Sequence, residues 1–212
     1  PCTQQQFDGS RFTICAFDAK KQSLALALPA SRGFAGLPVK DVAFGMNAGM
    51  FDGSGTPVGL YVENGKPVTQ LNTQSGDGNF YMLPNGVFSQ DTDGKLHIDT
   101  TQAYGARPAQ PRWEPPSGPM LLIAGKLHSQ VSDDGPSRYI RNGVCLRDGN
   151  HAYFAISEVT VSFGKLARLF RDKLKCRDAL YFDGFVSSLW VPSERRMDNR
   201  TPLGPVIIVT NR

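Results

Sequence analysis

Short alternations of apolar and polar residues separated by glycine and proline dominate this chain. Arg11 to Phe17 alternates around Phe12, Ile14 and Ala16, and Ser23 to Leu28 alternates around Leu24, Leu26 and Leu28, which predicts two paired strands. Val42 to Met46, Leu60 to Val62, Phe80 to Leu83, Val87-Phe88 and Met120 to Ala124 read as further short strands, as do Arg138 to Val144, His151 to Ser157 and Val206 to Thr210. Turns are expected at Asp8-Gly9, Asn85-Gly86, Asp93-Gly94, Gly125-Lys126 and Asp148-Gly149-Asn150, with Asn85-Gly86 matching the two-residue hairpin signal. Five prolines between Arg107 and Pro119 argue for a stiff connection without regular structure. Helical periodicity is clear over Phe163 to Lys175, where Phe163, Leu166, Ala167, Phe170 and Leu174 share a face and Ser162 is placed as N-cap. Its opposite face carries Lys165, Arg168, Arg171, Lys173 and Lys175, which reads as solvated.

This pattern predicts an α+β fold, mainly antiparallel twisted sheet with one principal amphipathic helix. At 212 residues the chain suits a single domain over 1–212, since no Pro/Ser-rich linker divides it. A hydrophobic fraction of 40% and a charged fraction of 20% are ordinary for a globular protein, and no apolar run is long enough to span a bilayer. The net charge of +4 is modest and its basic residues are scattered, so nucleic acid is not an expected partner while an anionic small substrate is compatible. The four cysteines lack C-x-x-C spacing, which favours disulfides over a metal knuckle. Of the three pairings, Cys2 with Cys15 is preferred because both flank the Asp8-Gly9 turn, leaving Cys145 and Cys176 to pair or stay free. The start at Pro1, without a charged-then-apolar leader, fits a removed signal peptide and a secreted or periplasmic location.

Candidate chemistry concentrates in Asp178 to Trp190. An apolar strand runs into Asp183-Gly184 and then presents Ser187 and Ser188; the alternative is a plain Asp-Gly turn. A second strand delivers Asn47, Gly49 and Asp52 to its end. Arg141 lies in a strand-like context and calls for an anionic partner, either a protein carboxylate or a phosphate. There is no G-x-S-x-G elbow, H-E-x-x-H or P-loop, and His97, His128 and His151 lack metal-ligand spacing. No metal or other cofactor is expected. Asn199-Arg200-Thr201 matches a glycosylation sequon.

Seven blocks in order, MNAGMFD (46–52), PVGLYVENG (57–65), NFYMLPNGVF (79–88), SGPMLLIAGKLH (117–128), SRYIRNGV (137–144), FAIS (154–157) and ALYFDGFVSSLW (179–190), closely resemble the phosphodiester glycosidase family. That is the family of N-acetylglucosamine-1-phosphodiester α-N-acetylglucosaminidase, and the likeness is greatest to its compact bacterial branch, long catalogued as a domain of unknown function. The resemblance covers roughly residues 10 to 210 and implies hydrolysis of a glycosyl phosphodiester at the glycosidic carbon. The expected partner is a carbohydrate phosphodiester, small or part of a cell-envelope polymer.

Asp183 is then the carboxylate to activate water or act as nucleophile, with Glu158 or Asp52 as the second of the usual pair. Arg141 is expected to grip the phosphate, helped by backbone N–H groups near Gly118 or Gly49. Asn47, Asn79, Ser117, Asn142, Gly184, Ser187 and Ser188 complete the substrate-binding candidates. The chain departs from the family in three places. Pro116 precedes Ser117-Gly118-Pro119 where glutamine is usual, Cys145 replaces a common glycine, and Phe185 stands where a small residue is usual, to narrow the pocket or stack on a sugar. Competing readings are a metal-dependent phosphodiesterase breaking the P–O bond and a non-catalytic envelope module that binds glycans.

Overall fold

The computed structural model describes residues 2–27, 33–37, 40–49, 61–63, 66–69, 82–107, 111–113, 118–198 and 202–212. Two antiparallel sheets pack face to face. The larger contains β1 (Cys2–Phe7), β2 (Ser10–Asp18), β7 (Asn85–Asp91), β8 (Leu96–Thr100), β10 (Gly118–Ile123), β12 (Asn142–Leu146), β13 (His151–Ser157) and β14 (Asp178–Asp183). Their order is β1-β2-β13-β12-β14-β10-β7-β8, with β9 (Pro111–Trp113) beside β7 and β11 (Lys126–Leu127) beside β10. The smaller contains β3 (Gln22–Ala27), β4 (Val42–Asn47), β15 (Leu189–Val191), β16 (Arg196–Met197) and β17 (Val206–Asn211), ordered β16-β15-β4-β17-β3. A separate ribbon pairs β5 (Tyr61–Glu63) with β6 (Lys66–Thr69).

Alternation puts one face of each strand between the sheets. Phe17, Phe44, Phe88, Phe154, Phe182, Ile207 and Val209 fill that space, and Phe154 lies against Phe17, Phe44, Phe88 and Phe182 at centroid distances of 5.4–6.5 Å. The other face of the large sheet is covered by helix α2 (Phe163–Arg168), which continues as a π-helical turn over Leu169–Lys173. Leu166, Ala167, Leu169 and Phe170 pack there against Phe12, Leu121, Ala155 and Tyr181. Ser162 caps the helix as expected, its Oγ accepting from the Lys165 backbone N–H. A second, short helix, α1 (Thr101–Gly105), follows β8.

Several expectations are corrected. β2 and β3 do not pair: β2 is already flanked by β1 and β13, so β3 joins β17 in the other sheet. β2 is also buried on both faces, with Thr13, Cys15 and Phe17 turned toward the opposite sheet and Ala16 exposed. Asn85-Gly86 is not a turn but the start of β7, paired with Gly118-Pro119. Gly86 is required by packing, since a Cβ there would collide with Met120 and Leu180 side chains. The proline-rich stretch supplies β9 and the first residues of β10, so it is not wholly irregular. Regular pairing of the Arg138 to Val144 segment begins only at Asn142, Tyr139 making a single bridge to Val161. The basic face of the helix is partly tethered: Arg168 pairs with Asp8, Lys165 Nζ donates to the Asp8 carbonyl and Ser10 Oγ, and Lys173 Nζ donates to the Gln6 carbonyl.

Cys2 bonds to Cys15 across the β1–β2 hairpin, and Cys145 on β12 bonds to Cys176 beyond the helix. The second link fixes the helix end to the sheet it covers. No helix among the described residues is long and apolar enough to cross a membrane.

Candidate active site

β4, β7, β10, β12 and β14 all present one end in the same direction, and the candidate residues gather there. Asp183 is the last residue of β14. Strict alternation would turn it toward the helix with Tyr181, because Leu180 and Phe182 face the opposite sheet. The register slips first: Gly143 opposes Tyr181 but Asn142 opposes Asp183, leaving Phe182 unmatched as a bulge. The bulge re-aims Asp183 into the space between the sheets. There its Oδ2 accepts from Asn47 Nδ2 at 3.2 Å, while Oδ1 accepts from the Phe185 N–H at 2.5 Å and the Val186 N–H at 3.1 Å.

Only 6% of Asp183 is exposed. Burial pushes its carboxyl above the usual range, against the opposing pull of the backbone donors at Phe185, Val186 and Gly184. The result is a carboxylate held in one rotamer, with a lone pair on Oδ2 unused among the described residues, that binds a proton more readily than an exposed aspartate.

Asn47 ends β4 in the other sheet and sets that rotamer. Its Oδ1 accepts from the Ser188 N–H at 2.8 Å and from Asn142 Nδ2 at 2.9 Å. Since a backbone N–H only donates, the amide must point its oxygen to Ser188 and its nitrogen to Asp183. Asn142 also donates to the Asn47 carbonyl, and Ser187 Oγ lies 3.3 Å from Asn142 Oδ1 and 3.0 Å from the Asp183 carbonyl. Ser188 Oγ donates to the Val186 carbonyl. The predicted set Asn47, Asn142, Asp183, Ser187 and Ser188 is therefore one closed hydrogen-bond circuit spanning both sheets. Most of its capacity is internally used, so it positions the carboxylate more than it offers donors to a ligand.

Arg141 has no exposed surface and stands behind the site, on the helix side. Nε donates to the Val161 carbonyl, NH1 to Tyr181 Oη, and NH2 to the carbonyl and Oγ of Ser137. Its guanidinium lies 3.7 Å from the centroid of the Phe163 ring. The expected anionic partner is not a protein carboxylate: every bond of Arg141 goes to a neutral acceptor among the described residues. Gly184 closes over this pair, and a Cβ at that position would strike Tyr181 Oη and approach Arg141 NH1. Arg141 and Tyr181 thus support the Asp183-Gly184 turn from beneath.

Glu158 shares no hydrogen bond with Asp183 among the described residues. It accepts from Arg196 NH1 at 2.6 Å and from Thr13 Oγ1 at 2.5 Å. Arg196 also binds Asp198, whose Oδ2 accepts from the Leu189 N–H. Burial works against the Arg196 charge, but its bonds to Asp198 and Glu158 outweigh burial and hold the guanidinium protonated. This triad links β13 to β15 and β16, one residue from the Ser188 N–H that fixes Asn47.

Gly49 follows β4 with a φ of +85°, in the left-handed region that suits glycine. Gly118 opens β10 so close to the Tyr181 carbonyl that a side chain could not fit. Asp52, Asn79 and Ser117 lie outside the described residues. Tyr181, Arg196 and Asp198 are contributors that the sequence reading missed: Tyr181 looks like strand core, and Arg195-Arg196 registers only as a basic pair. Among the described residues no three His, Cys, Asp or Glu side chains gather as a metal site.

A buried carboxylate of raised proton affinity, fixed by donors from two sheets and placed at a strand end, has the geometry that acid–base or nucleophilic chemistry requires. The chain belongs to the phosphodiester glycosidase family, whose sequence model matches residues 40–210. It is 32% identical over 173 residues to the uncharacterized protein YigE of Escherichia coli (strain K12), a match spanning 81% of this chain and 66% of that protein. The fold is similar to the zebrafish N-acetylglucosamine-1-phosphodiester alpha-N-acetylglucosaminidase catalytic domain auto-inhibited by its pro-peptide. That likeness has a TM-score of 0.67 at 13% identity, over 100% of this chain and 82% of the other. A Burkholderia pseudomallei protein named "Putative exported protein" is also similar, with a TM-score of 0.59 at 12% identity over 95% and 74% of the two chains.

Proposed function

We propose that this protein hydrolyses a glycosyl phosphodiester at the glycosidic carbon, releasing free sugar and a phosphomonoester. The observation that carries the reading is Asp183 itself, aimed by a bulge into the inter-sheet space and locked by Asn47. The carbon–oxygen bond to phosphate breaks, its electrons leaving with the phosphoryl oxygen, and a water oxygen ends on the sugar. Asp183 either takes the proton of that water or attacks the carbon first, to be displaced by water in a second step. A phosphomonoester has a second pKa of about 6 and departs as an anion, so a strong general acid is less needed than for an alcohol.

Arg141 adds a buried positive charge that no carboxylate among the described residues neutralises, which favours an anionic diester at this end of the sheet. The second carboxylate of the pair falls to Asp52 by sequence, since Glu158 is engaged by Arg196 and Thr13. Two disulfides support an oxidising, secreted or periplasmic setting.

The test is product analysis by mass spectrometry in oxygen-18 water, with wild type and Asp183→Asn on a panel of sugar-1-phosphodiesters. Label on the sugar, abolished by the substitution, is the expected result. Label on phosphate would mean P–O cleavage and overturn the reading. Binding without turnover, equal in both proteins, would instead mark a glycan-binding module.

A further inference from the structure

The described chain exposes five large hydrophobic side chains: Leu83, Tyr139, Val159, Phe185 and Met197. Scattered exposed apolar residues are ordinary on any protein surface. Four of them are not scattered with respect to topology. Leu83 leads into the start of β7, Tyr139 into the start of β12, and Val159 follows the end of β13. Phe185 follows the end of β14, and Met197 on β16 pairs with Trp190 just beyond Ser188. The registers Asn142↔Asp183, Asn142↔Ile156 and Leu189↔Met46 place the strand ends beside Tyr139, Val159, Phe185 and Met197 on the Asp183 side, whereas Leu83 precedes β7 alongside Met120, on the side away from it.

These four also neighbour polar groups at or beside the site. Phe185 is the most exposed, at 87%, yet its backbone N–H is bound to the Asp183 carboxylate. Tyr139 lies 5.3 Å from the Arg141 guanidinium, Val159 adjoins Glu158, and Met197 adjoins Arg196.

We infer that these four side chains form an apolar rim that receives an apolar aglycone, an alkyl, isoprenoid or aryl group esterified to the far side of the substrate phosphate. The inference rests on the proposed reaction and narrows its substrate class. A sugar ring stacks on aromatic faces but needs hydroxyl partners. Val159 and Met197 offer neither a face nor a partner, and they do suit hydrocarbon. With the glycosidic carbon at Asp183, the group beyond the phosphate is the part of the substrate placed to leave the site across this rim.

The experiment compares the methyl and octyl phosphodiesters of N-acetylglucosamine-1-phosphate, below micelle-forming concentration, with wild type, Phe185→Ser and the double variant Val159→Ser/Met197→Ser. Covering roughly 55 Å² of apolar surface corresponds to about 10-fold, so wild type is expected to favour the octyl ester in kcat/KM by about that factor or more. The octyl-to-methyl ratio is expected to fall at least about threefold in either variant, the second keeping the test alive if the first misfolds.

A wild-type ratio near one, or a ratio unchanged in both variants, overturns the rim while leaving the reaction standing. If neither ester is hydrolysed, the proposed reaction has failed on these substrates, and calorimetric binding of the two esters tests the rim by itself. Tighter octyl binding that the variants lose sustains it; equal or unmeasurable binding overturns it. Sedimentation with phosphatidylcholine vesicles, lost in the variants while the ester ratio stays near one, would mark a membrane-docking face and also overturn the proposal.

Discussion

Replacing Asn47 with alanine tests whether the inter-sheet circuit holds the carboxylate. Three bonds end on this side chain: to Asp183 at 3.2 Å, from the Ser188 N–H at 2.8 Å and from Asn142 Nδ2 at 2.9 Å. Asn142 keeps the backbone carbonyl of residue 47 as a partner, so its loss is small. Ser188 is fully buried and loses the acceptor of its N–H, which costs about 1–3 kcal/mol, and the bond to a charged carboxylate is worth about 1.5–3 kcal/mol. The expected destabilisation is therefore about 3–5 kcal/mol in urea unfolding at pH 7, a large share of a typical total of about 5–15 kcal/mol.

Asn47→Asp separates the two contributions. It retains an oxygen for Ser188 but sets a second carboxylate against Asp183, and such a pair holds a proton that the unfolded chain releases. Its stability should approach wild type near pH 4 and fall as pH rises toward 8. A cost below about 1 kcal/mol for Asn47→Ala, or an Asn47→Asp deficit that does not grow with pH, would refute the view that this amide sets the site.

Two further outcomes follow from the same geometry. The Asp183 pKa is raised on folding, so the native state binds the extra proton, and the stability this proton contributes is present below the unfolded pKa and lost as pH rises through the folded one. The stability of Asp183→Asn minus that of wild type should accordingly increase from pH 3.5 to pH 7 in paired urea titrations; a flat or falling difference would show that the backbone donors outweigh burial. The Cys145–Cys176 link closes a separation of 31 residues, so the double serine variant should lose about 3–4 kcal/mol by loop-closure entropy. Unchanged stability under both oxidising and reducing conditions would contradict that.

Local chemistry was legible in the sequence wherever local rules decide the outcome. β4, β13, β14 and β17, the Ser162 cap and the Cys2–Cys15 pairing follow from alternation, capping and turn spacing, and the end of β14 stood out because a polar turn interrupts an apolar run. Long-range pairing was not legible. Alternation says that β2 and β3 are strands but not that they enter different sheets, and Asn85-Gly86 has turn composition although Gly86 is there to admit Met120 and Leu180. Arg141 and Glu158 show the same limit at the site. Their types suit phosphate binding and acid–base work, but whether an arginine meets Tyr181 or a ligand, and a glutamate meets Arg196 or Asp183, depends on elements far away in sequence.

The unmatched Phe182 means that the Asp183 carboxylate and the core residues of its own strand are read in different frames. Ala179, Leu180, Tyr181 and Phe182 keep the two-residue phase that packs the sheet, and the phase resets before Asp183. Variation that trades one core side chain for another upstream leaves the aim of the carboxylate alone, whereas a strand that ran on in regular pairing, with Asn142 opposite Phe182 and no residue unmatched, would swing it to the helix side without disturbing the hydrophobic pattern. The most vulnerable property of this site is thus a register, invisible to any inventory of which side chains are present.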